Sequence, residues 1–587
     1  MSRTGTIYIF VDMYNSLANS TLVPVLLALF IFSACGKQIA EIPFAYDTQL
    51  SEKFNSAAVA TAHPLSSEVG KEILQRGGNA IDAAVASQFA LAVVYPRAGN
   101  LGGGGFMIIR LKDGTAAALD YRETAPAAAD ADMYLDENGD PIDSLSRSGH
   151  WAVGVPGTVA GLERAHQKYG RLPWAEVVQP SIDLARRGFR LSATEAERFN
   201  RYYEDFKHYN PIPNAFTQTS NWQAGDLFKQ PDLARTLKRI RNHGSAGFYS
   251  GKTADLLVAE MQRGGGLITL DDLKAYQAKW RDPIRSEYQD YQIIGMPPPS
   301  SGGVAIAQLL RISDNYPLAD YGFHTPQTIH LMSEIERRVY ADRAQYLGDR
   351  DFYPVPLDTL LDENYLRGRM KSFNPKRAST SDSIAAGIFL LPESFETTHT
   401  SIVDAERNAV SVTTTLNLNF GSKVLVAGGG FFLNDEMDDF SAKPGVPNYF
   451  GLVGAEANAI APGKRMLSSM SPTIIEREGE LFMVIGAPGG STIITAVYQV
   501  FLNVATFGMP VDRAVAAGRF HHQWLPDQIR SEADVFPDST LQTLRSMGHE
   551  VEQRGRMAVI KAIQILPDGT IHAAADPRNP DDDVAGY

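Results

Sequence analysis

The stretch that decides the fold prediction lies at residues 396–415 and reads ETTHTSIVDAERNAVSVTTT. The residue pattern over His399–Val403 and Val410–Thr415 predicts two β-strands. Residues Asp404–Asn408 between them have the composition of a hairpin turn. The stretch therefore predicts a hairpin at the start of the C-terminal part of the chain.

The junction before this hairpin suggests a covalent cut. From about Pro375 to Glu396 the chain is polar and weakly periodic, which predicts a mobile surface loop ending at Thr397. Hydrolysis of the Glu396–Thr397 bond would give Thr397 a free α-amine, whose pKa of about 7.7–8.0 suits a general base at neutral pH. Thr397 would then supply both nucleophile and base. The junction alone does not decide this, because threonine pairs also begin strands through their β-propensity.

Upstream, the sequence predicts two successive helices. Ser67 precedes the first helix, and the pair Gly77-Gly78 ends it. Asn79 caps the second, which runs from Ala80 to about Val94 and is rich in alanine and nearly free of charge. This composition predicts a helix buried on most sides.

The rest of the chain alternates between predicted strands and helices. Residues 150–290 are mainly helical in pattern, and another helix is predicted over Val304–Ile312. Further strands are predicted at Phe106–Arg110, Ala116–Tyr121, Thr473–Ile475 and Phe482–Ile485.

A run of glycines, Gly102–Gly105, raises the question of nucleotide binding. It lacks the Gly-Lys-Ser/Thr ending of a phosphate loop, and Met107 breaks the dinucleotide fingerprint. We therefore interpret the run as a place where backbones pack closely.

The residue pattern at the N-terminus predicts that the protein is exported. The apolar run Leu22–Phe32 is too short to span a bilayer but suits a signal peptide over residues 1–34. It ends beside Cys35, the only cysteine of the chain, in a small-small-Cys context that resembles a bacterial lipoprotein signal. A conventional cleaved signal and a later start at Met13 stay open. Residues 35–56 are predicted to be a tether, so the mature protein is expected to be periplasmic and lipid-anchored.

Composition bounds the function class. The chain has 587 residues, of which 44% are hydrophobic and 21% charged, values typical of a soluble folded protein. Its formal net charge of −13 argues against nucleic acid as a partner, because such surfaces need concentrated Lys and Arg.

Several longer motifs, from about Ala60 to Tyr587, occur in an order that identifies a family. They are Ala62–Ser67, Gly77–Ala80, Gly99–Gly105, Tyr121–Glu123, Thr415–Asn417, Met437–Ser441, Leu467–Thr473 and Pro488–Ser491. In these motifs the chain resembles the γ-glutamyltransferase (glutathione hydrolase) family of N-terminal nucleophile hydrolases. The resemblance implies an α+β fold, a four-layer αββα sandwich of two antiparallel sheets between helical layers. It also implies a self-cleaved precursor with a large subunit at 57–396 and a small subunit at 397–587, which together form one globular unit.

The resemblance assigns residues to each end of a γ-glutamyl donor. Arg122, Ser468 and Ser469 match the positions that bind the α-carboxylate, for which a guanidinium fork is suited. Asn417, Glu436 and Asp439 match those that hold the α-ammonium. Glu436 replaces a Gln found in some members, which adds negative charge. Without the resemblance, Arg122 would be expected to pair with Glu123 or another acid, and Asp438-Asp439 would pass for a solvated turn.

The same resemblance assigns the catalytic groups. Thr397 is the implied nucleophile, and Thr415 the second threonine that steadies it. Gly489 and Gly490 are the implied oxyanion donors, since two adjacent backbone N–H groups follow a strand there; a simple strand-ending turn is the alternative.

Other chemistry-bearing residues are given no catalytic role. His399 is not needed as a base, because the Thr397 amine supplies one. His521-His522 lacks a partner at ligand spacing, so no metal and no cofactor are expected.

Two local features bear on substrate access. Residues 443–451 resemble a lid loop in which Tyr449 or Phe450 would shield the acyl-enzyme from water. Thr400 stands where bacterial members of that family carry Tyr, a departure from the family pattern close to the expected cut.

The implied activity is cleavage of γ-glutamyl amides such as glutathione. The group would pass from Thr397 to water or to an amino acid or dipeptide. Two alternatives stay open, a glutaryl or β-lactam acylase on the same scaffold and a catalytically silent lipoprotein that binds peptides.

Overall fold

The computed structural model describes residues 48–384, 397–443 and 454–587. Cys35 and the signal segment, Glu396 at the expected cut, and the lid residues Tyr449 and Phe450 lie outside the described residues. None of the helices in the described part has the length and apolarity needed to cross a membrane.

The described strands and helices alternate along the chain. The strands are β1 (Ser51–Phe54), β2 (Ala58–Thr61), β3 (Gly104–Arg110), β4 (Ala116–Asp120), β5 (Phe189–Arg190), β6 (Leu227–Phe228), β7 (Lys279–Arg281), β8 (Ile284–Tyr288), β9 (Tyr291–Gly295), β10 (Thr398–Val403), β11 (Ala409–Thr415), β12 (Thr473–Arg477), β13 (Glu480–Gly486), β14 (Phe520–His521), β15 (Ile529–Glu532), β16 (Val551–Arg554), β17 (Lys561–Ile565), β18 (Ile571–Ala575) and β19 (Asp583–Gly586). The helices are α1 (Pro64–Gln75), α2 (Ala80–Val94), α3 (Asp143–Arg147), α4 (Thr158–Tyr169), α5 (Trp174–Arg187), α6 (Ala193–Arg201), α7 (Tyr203–Tyr209), α8 (Pro231–His243), α9 (Ala246–Tyr249), α10 (Gly251–Gly264), α11 (Leu270–Ala275), α12 (Gly302–Ser313), α13 (Leu318–Tyr321), α14 (Pro326–Tyr346), α15 (Leu357–Leu360), α16 (Glu363–Arg369), α17 (Thr492–Ala505), α18 (Val511–Ala516) and α19 (Asp538–Ser546).

Two seven-stranded sheets form the centre of the fold. One sheet has the order β1-β18-β17-β13-β12-β9-β8, and the other has the order β19-β2-β10-β11-β3-β4-β7. All neighbouring strands in both sheets run antiparallel. The predicted hairpin β10–β11 lies in the middle of the second sheet.

Strand β3 shows how the layers are built. Phe106 and Ile108 point into a core shared with the first sheet and with α12, α14 and α17. Met107 and Ile109 point the other way, into a core shared with α1, α2, α4 and α5. Because successive side chains point to opposite faces of a strand, β3 contributes residues to both cores. The predicted αββα sandwich of two antiparallel sheets is confirmed.

The buried helix α2 matches its prediction at both ends. The Asn79 side chain accepts hydrogen bonds from the Ile81 and Asp82 backbone, and Asp82 accepts one from the Asn79 backbone in return. Every residue of α2 is buried, and the helix packs on β10 and β11. It therefore supports the strands that lead to Thr397 and Thr415.

Close backbone packing at the glycine run is also confirmed. A Cβ added at Gly103 would lie 2.1 Å from the Thr415 carbonyl oxygen, and one at Gly102 would lie 2.2 Å from that of Phe432. Only glycine lets this loop approach the end of β11 so closely.

Two predicted boundaries differ from the structure. Helix α1 begins at Pro64 rather than after Ser67, because His63 caps it by accepting a hydrogen bond from the Leu65 backbone N–H. The tether predicted up to residue 56 is wrong at its end, since Ser51–Phe54 forms β1 and pairs with β18. Strand β1 has only four residues, of which one is buried, so its sequence lacks the apolar pattern that would predict a strand.

The polar segment before Thr397 is held in place in its described part. Ser381 N–H donates to Asp527 at 2.7 Å, and Arg337 donates to the Ser381 hydroxyl at 2.7 Å. From Pro375 to Ile384 most residues are exposed, as the predicted surface loop requires, but Ser381 and Ile384 are buried and anchor the segment. Residues 385–396 lie outside the described part.

Candidate active site

Thr397 stands immediately before β10 and is 6% exposed. A pocket beside it collects residues from the end of β11, from helix α14 and from the loops around them. Its lining residues are Arg122, Arg343, Thr397, Thr415, Asn417, Glu436, Asp439, Phe440, Ser441, Gly454, Asn458, Leu467, Ser468, Ser469, Met470, Gly490 and Ser491. The structure thus brings together all the predicted substrate-binding residues and, of the predicted catalytic ones, Thr397, Thr415 and Gly490.

Arg122 follows β4 and is fully buried in ion pairs. One terminal nitrogen contacts Glu436 and the other contacts Asp439, while Glu123 lies 3.7 Å away. The guanidinium also donates to the carbonyls of Met466 and Leu467, at 3.3 Å each. The predicted carboxylate-binding group is therefore ion-paired with the predicted ammonium-binding acids.

The acids lie on a short 3-10 turn, Glu436–Asp439, that is buried rather than solvated. Burial raises the pKa of Glu436 to about 8, although Arg122 opposes the rise. Burial likewise raises the pKa of Asp439 and of Glu123. Arg122 and the raised pKa values together limit the repulsion among these acids, and a cationic ligand would favour their ionised form.

Two residues at the end of β11 face the same acids. The Thr415 hydroxyl accepts a hydrogen bond from Asn417 N–H at 2.8 Å and is also hydrogen-bonded to Glu436. The Asn417 amide nitrogen donates to the Asp435 carbonyl at 3.1 Å, so its amide oxygen is left as an acceptor. The expected contact of Thr415 with the nucleophile stays a prediction.

Ser468 and Ser469 lie on the opposite wall, before β12. The Ser468 hydroxyl oxygen accepts from Met470 N–H at 3.2 Å, and that of Ser469 accepts from Arg343 at 3.0 Å. Since both oxygens accept, both hydroxyl hydrogens are available to donate. Two converging donors suit an anionic ligand group.

The segment Pro488–Gly490 links β13 to α17. The Gly489 carbonyl accepts from Thr492 N–H at 3.1 Å, and Gly490 has φ of +54°, which favours glycine. Within the described residues, neither the Gly489 nor the Gly490 N–H donates a hydrogen bond. Gly490 lines the same pocket as Thr397, and the role of the two N–H groups as oxyanion donors stays a prediction.

Among the lining residues outside the predicted motifs, Arg343 and Asn458 have polar side chains that the sequence analysis missed. Arg343, in the last turn of α14, reaches the pocket through Ser469. Asn458 donates to the Asp439 carbonyl at 2.7 Å and accepts from Leu467 N–H at 2.9 Å, so it joins the acidic turn to the serine loop. Neither has a local sequence signal, because each reaches the pocket through hydrogen bonds to residues on other segments of the chain.

The histidines are held in structural networks. His399 contacts the hydroxyls of Thr413 and Ser401 at 2.8 and 3.0 Å, and burial lowers its pKa well below the usual range. His521 is hydrogen-bonded to Thr495 at 2.8 Å, and His522 accepts from Trp524 N–H at 3.1 Å.

One described group, His330, Glu334 and His549, brings metal-type ligand atoms within 4.8 Å of one another. Its atoms are already engaged, since Arg338 donates to Glu334 at 2.7 Å and the two imidazoles are hydrogen-bonded at 2.7 Å. These contacts suit a structural network better than a cation site, because the arginine already balances the carboxylate.

A threonine immediately before a central strand of an αββα sandwich, in one pocket with Gly490, is the arrangement of an N-terminal nucleophile hydrolase. The family model for gamma-glutamyltranspeptidase matches residues 66–586. The chain belongs to the gamma-glutamyltranspeptidase family.

Individual relatives agree with this placement. The chain is 48% identical over 545 residues to the glutathione hydrolase proenzyme of Pseudomonas aeruginosa, covering 92% of this chain and 96% of that protein. It is 46% identical over 531 residues to the glutathione hydrolase proenzyme of Escherichia coli, covering 90% and 91%. The crystal structure of cephalosporin acylase from Bacillus halodurans superposes with a TM-score of 0.80 at 26% identity, covering 94% and 99%.

Proposed function

We propose that this chain is a self-processing γ-glutamyltransferase and glutathione hydrolase. The observation that carries the proposal is the charge pattern of the pocket. Buried acids, a pair of serine hydroxyls and Arg122 line the same pocket as Thr397, as a donor with both an ammonium and a carboxylate requires. The relatives named glutathione hydrolase proenzymes support the same substrate class.

Processing comes first in this proposal. Cleavage of the Glu396–Thr397 bond gives a large subunit ending at Glu396 and a small subunit beginning at Thr397. The new α-amine then lies on the same residue as the hydroxyl it activates.

The first half-reaction forms an ester. The Thr397 hydroxyl attacks the γ-carbonyl carbon of the donor and passes its proton to the Thr397 amine. The N–H groups of Gly489 and Gly490 stabilise the negative charge that develops on the carbonyl oxygen. The C–N bond then breaks, and the leaving amine, cysteinylglycine in the case of glutathione, takes the proton from the Thr397 ammonium.

The second half-reaction releases the γ-glutamyl group. Water or the amine of an amino acid or dipeptide attacks the ester carbon, and the Thr397 amine accepts the proton of the attacking group. The ester C–O bond breaks and the Thr397 oxygen is reprotonated. The product is glutamate or a new γ-glutamyl peptide.

Recognition uses the two sides of the pocket. Asn417, Glu436 and Asp439 hold the donor ammonium, while Arg122, Ser468 and Ser469 hold its carboxylate. When a zwitterionic donor binds, each of its charges replaces part of the internal ion pairing of Arg122 with the acids. The buried charges of the site therefore keep partners of opposite sign when the donor binds.

The experiment compares two chromogenic donors with the purified, processed enzyme. γ-Glutamyl-p-nitroanilide carries both charged groups, whereas glutaryl-p-nitroanilide lacks the ammonium. We expect kcat/KM to be at least about 100-fold higher for the γ-glutamyl donor, given about 3 kcal/mol for a buried charged hydrogen bond. The variant Asp439→Asn should narrow that ratio. Equal turnover of both donors would favour the acylase alternative that the structural similarity to cephalosporin acylase raises.

We also propose export with a lipid anchor at Cys35, on the strength of the apolar run Leu22–Phe32 and the single cysteine. The expected result is that cells fed a labelled fatty acid label the wild-type protein but not Cys35→Ala. Equal labelling of both would contradict the anchor, and absence of label from both would favour a conventional cleaved signal.

A further inference from the structure

Arg343 is a buried cation in the pocket with no acid partner of its own. It is 4% exposed, and among the described residues no carboxylate lies within salt-bridge distance of it. Its Nε donates to the Ser301 hydroxyl at 2.9 Å and one terminal nitrogen to the Ser469 hydroxyl at 3.0 Å. Arg122, by contrast, is paired with two carboxylates.

Burying a guanidinium without a counter-charge is costly. Burial lowers the pKa of Arg343 to about 10, partly opposed by Tyr340 and Asp439, so the side chain is still cationic at neutral pH. A buried charge of this kind beside a pocket is best explained if a ligand anion completes it.

The directions of the hydrogen bonds around Arg343 indicate which end of the ligand this residue acts on. Arginine can only donate, so Ser469 must accept from Arg343 and turn its own hydrogen elsewhere. The Ser301 backbone N–H and hydroxyl both donate to the Ser468 carbonyl, at 2.7 and 2.8 Å. Arg343 thereby fixes both serines, directly and through Ser301.

We propose that Arg343 is a positioning residue for the α-carboxylate of the donor. It orients the Ser469 hydroxyl so that this group donates a hydrogen bond to that carboxylate. It also adds a positive charge near the carboxylate, because the charge of Arg122 is already paired with Glu436 and Asp439. This inference rests on the proposed function and extends it to a second arginine.

The test measures kcat and KM of wild type and Arg343→Gln on three p-nitroanilides. The γ-glutamyl donor has both charges, the glutaryl donor has only the carboxylate, and the 4-aminobutyryl donor has only the ammonium. We expect Arg343→Gln to lower kcat/KM about 10- to 100-fold for the two carboxylate donors, mainly through KM. For the 4-aminobutyryl donor we expect a change of no more than about twofold. Arg343→Lys should recover part of the loss, because it keeps the charge without the fork.

Matched variants separate this role from a structural one. Arg338, on the same helix, is buried against Glu334 outside the pocket, so Arg338→Gln should affect all three donors equally if it affects any. In a Ser469→Ala background, Arg343→Gln should cost much less than in wild type, because the two residues act together.

Two results would overturn the inference. One is an equal loss of kcat/KM by Arg343→Gln on all three donors, and the other is full additivity with Ser469→Ala. If wild type prefers the glutaryl donor, the proposed function fails, but the carboxylate dependence of the Arg343 effect is still measured with that donor.

Discussion

At the scale of single residues, the charged groups of the pocket pair with one another. Arg122 contacts the acids that the sequence assigns to the opposite end of the substrate. The sequence supports the membership of this cluster through the family motifs, but not its pairing, because Arg122 and Glu436 are brought together only by the packing of distant loops. Arg343 was missed for the same reason, since its partners Ser301 and Ser469 lie on two other segments.

The Glu436 carboxyl should make donor binding depend on pH. Burial raises its pKa to about 8. An ammonium favours the ionised carboxylate, so binding lowers this pKa and releases a proton, and KM falls as pH rises toward about 8. Glu436→Gln has no such proton to lose. We expect the ratio of variant to wild-type KM for the γ-glutamyl donor to rise between about pH 6.5 and 8.5.

Using this ratio cancels the titration of the donor amine and of Thr397, which the two enzymes share. A ratio that stays constant across the pH range would contradict the assigned role of Glu436.

At the scale of elements, helix α14 supports two walls of the pocket. Tyr340 and Arg343 are three residues apart, so they lie on one face of the helix. Tyr340 donates to the Ser491 carbonyl, next to Gly490, and Arg343 donates to Ser469.

We expect Tyr340→Phe to lower kcat about 5- to 10-fold with little change in KM, because about 1 kcal/mol of support for the Gly490 segment is lost. Steady-state kinetics on the γ-glutamyl donor measure this effect. Tyr134→Phe is the control, since Tyr134 donates to the Trp151 carbonyl at 2.7 Å outside the pocket. A fall in kcat of similar size in both variants would contradict the local explanation.

The glycine run should couple packing to activity. A methyl group added by Gly103→Ala would lie 2.1 Å from the Thr415 carbonyl. We expect a loss of about 1–3 kcal/mol in the free energy of unfolding and a lower kcat/KM, because the end of β11 must move. Thermal unfolding and kinetics check both effects. Gly555→Ala, where a Cβ meets nothing within 4 Å, should change neither, and an unchanged Gly103→Ala protein would contradict the packing argument.

Elements with strong local signals could be predicted from the sequence. The capping box at Asn79 and the hairpin turn at Asp404–Asn408 each satisfy backbone groups within a few residues, so their patterns suffice. Strand β1 could not be predicted, because its stability comes from pairing with β18 at the far end of the chain.

At the scale of the whole molecule, the proposed cut does not divide the fold. In one sheet β10 and β11 lie between β2 and β3, which precede Thr397. In the other, β12 pairs with β9 and β18 with β1. Each sheet therefore contains strands from both sides of the cut, paired with one another. Neither the hairpin pattern nor the composition of the sequence indicates this arrangement.

We expect the two subunits to elute together in native size-exclusion chromatography and to separate only in denaturant. The strand pairing and the two shared cores hold them together after the peptide bond is broken. Thr397→Ala should elute at the same volume, since an uncut chain has the same fold. Separation of the wild-type subunits under native conditions would contradict the interleaved sheets.

The central claim is that Thr397 becomes an N-terminal nucleophile. Intact-mass measurement with N-terminal sequencing of purified wild type and Thr397→Ala tests it most directly. The account predicts two wild-type chains, the smaller beginning Thr-Thr-His and ending at Tyr587, and a single inactive chain for Thr397→Ala. A single active wild-type chain, or normal processing and activity of Thr397→Ala, would contradict it.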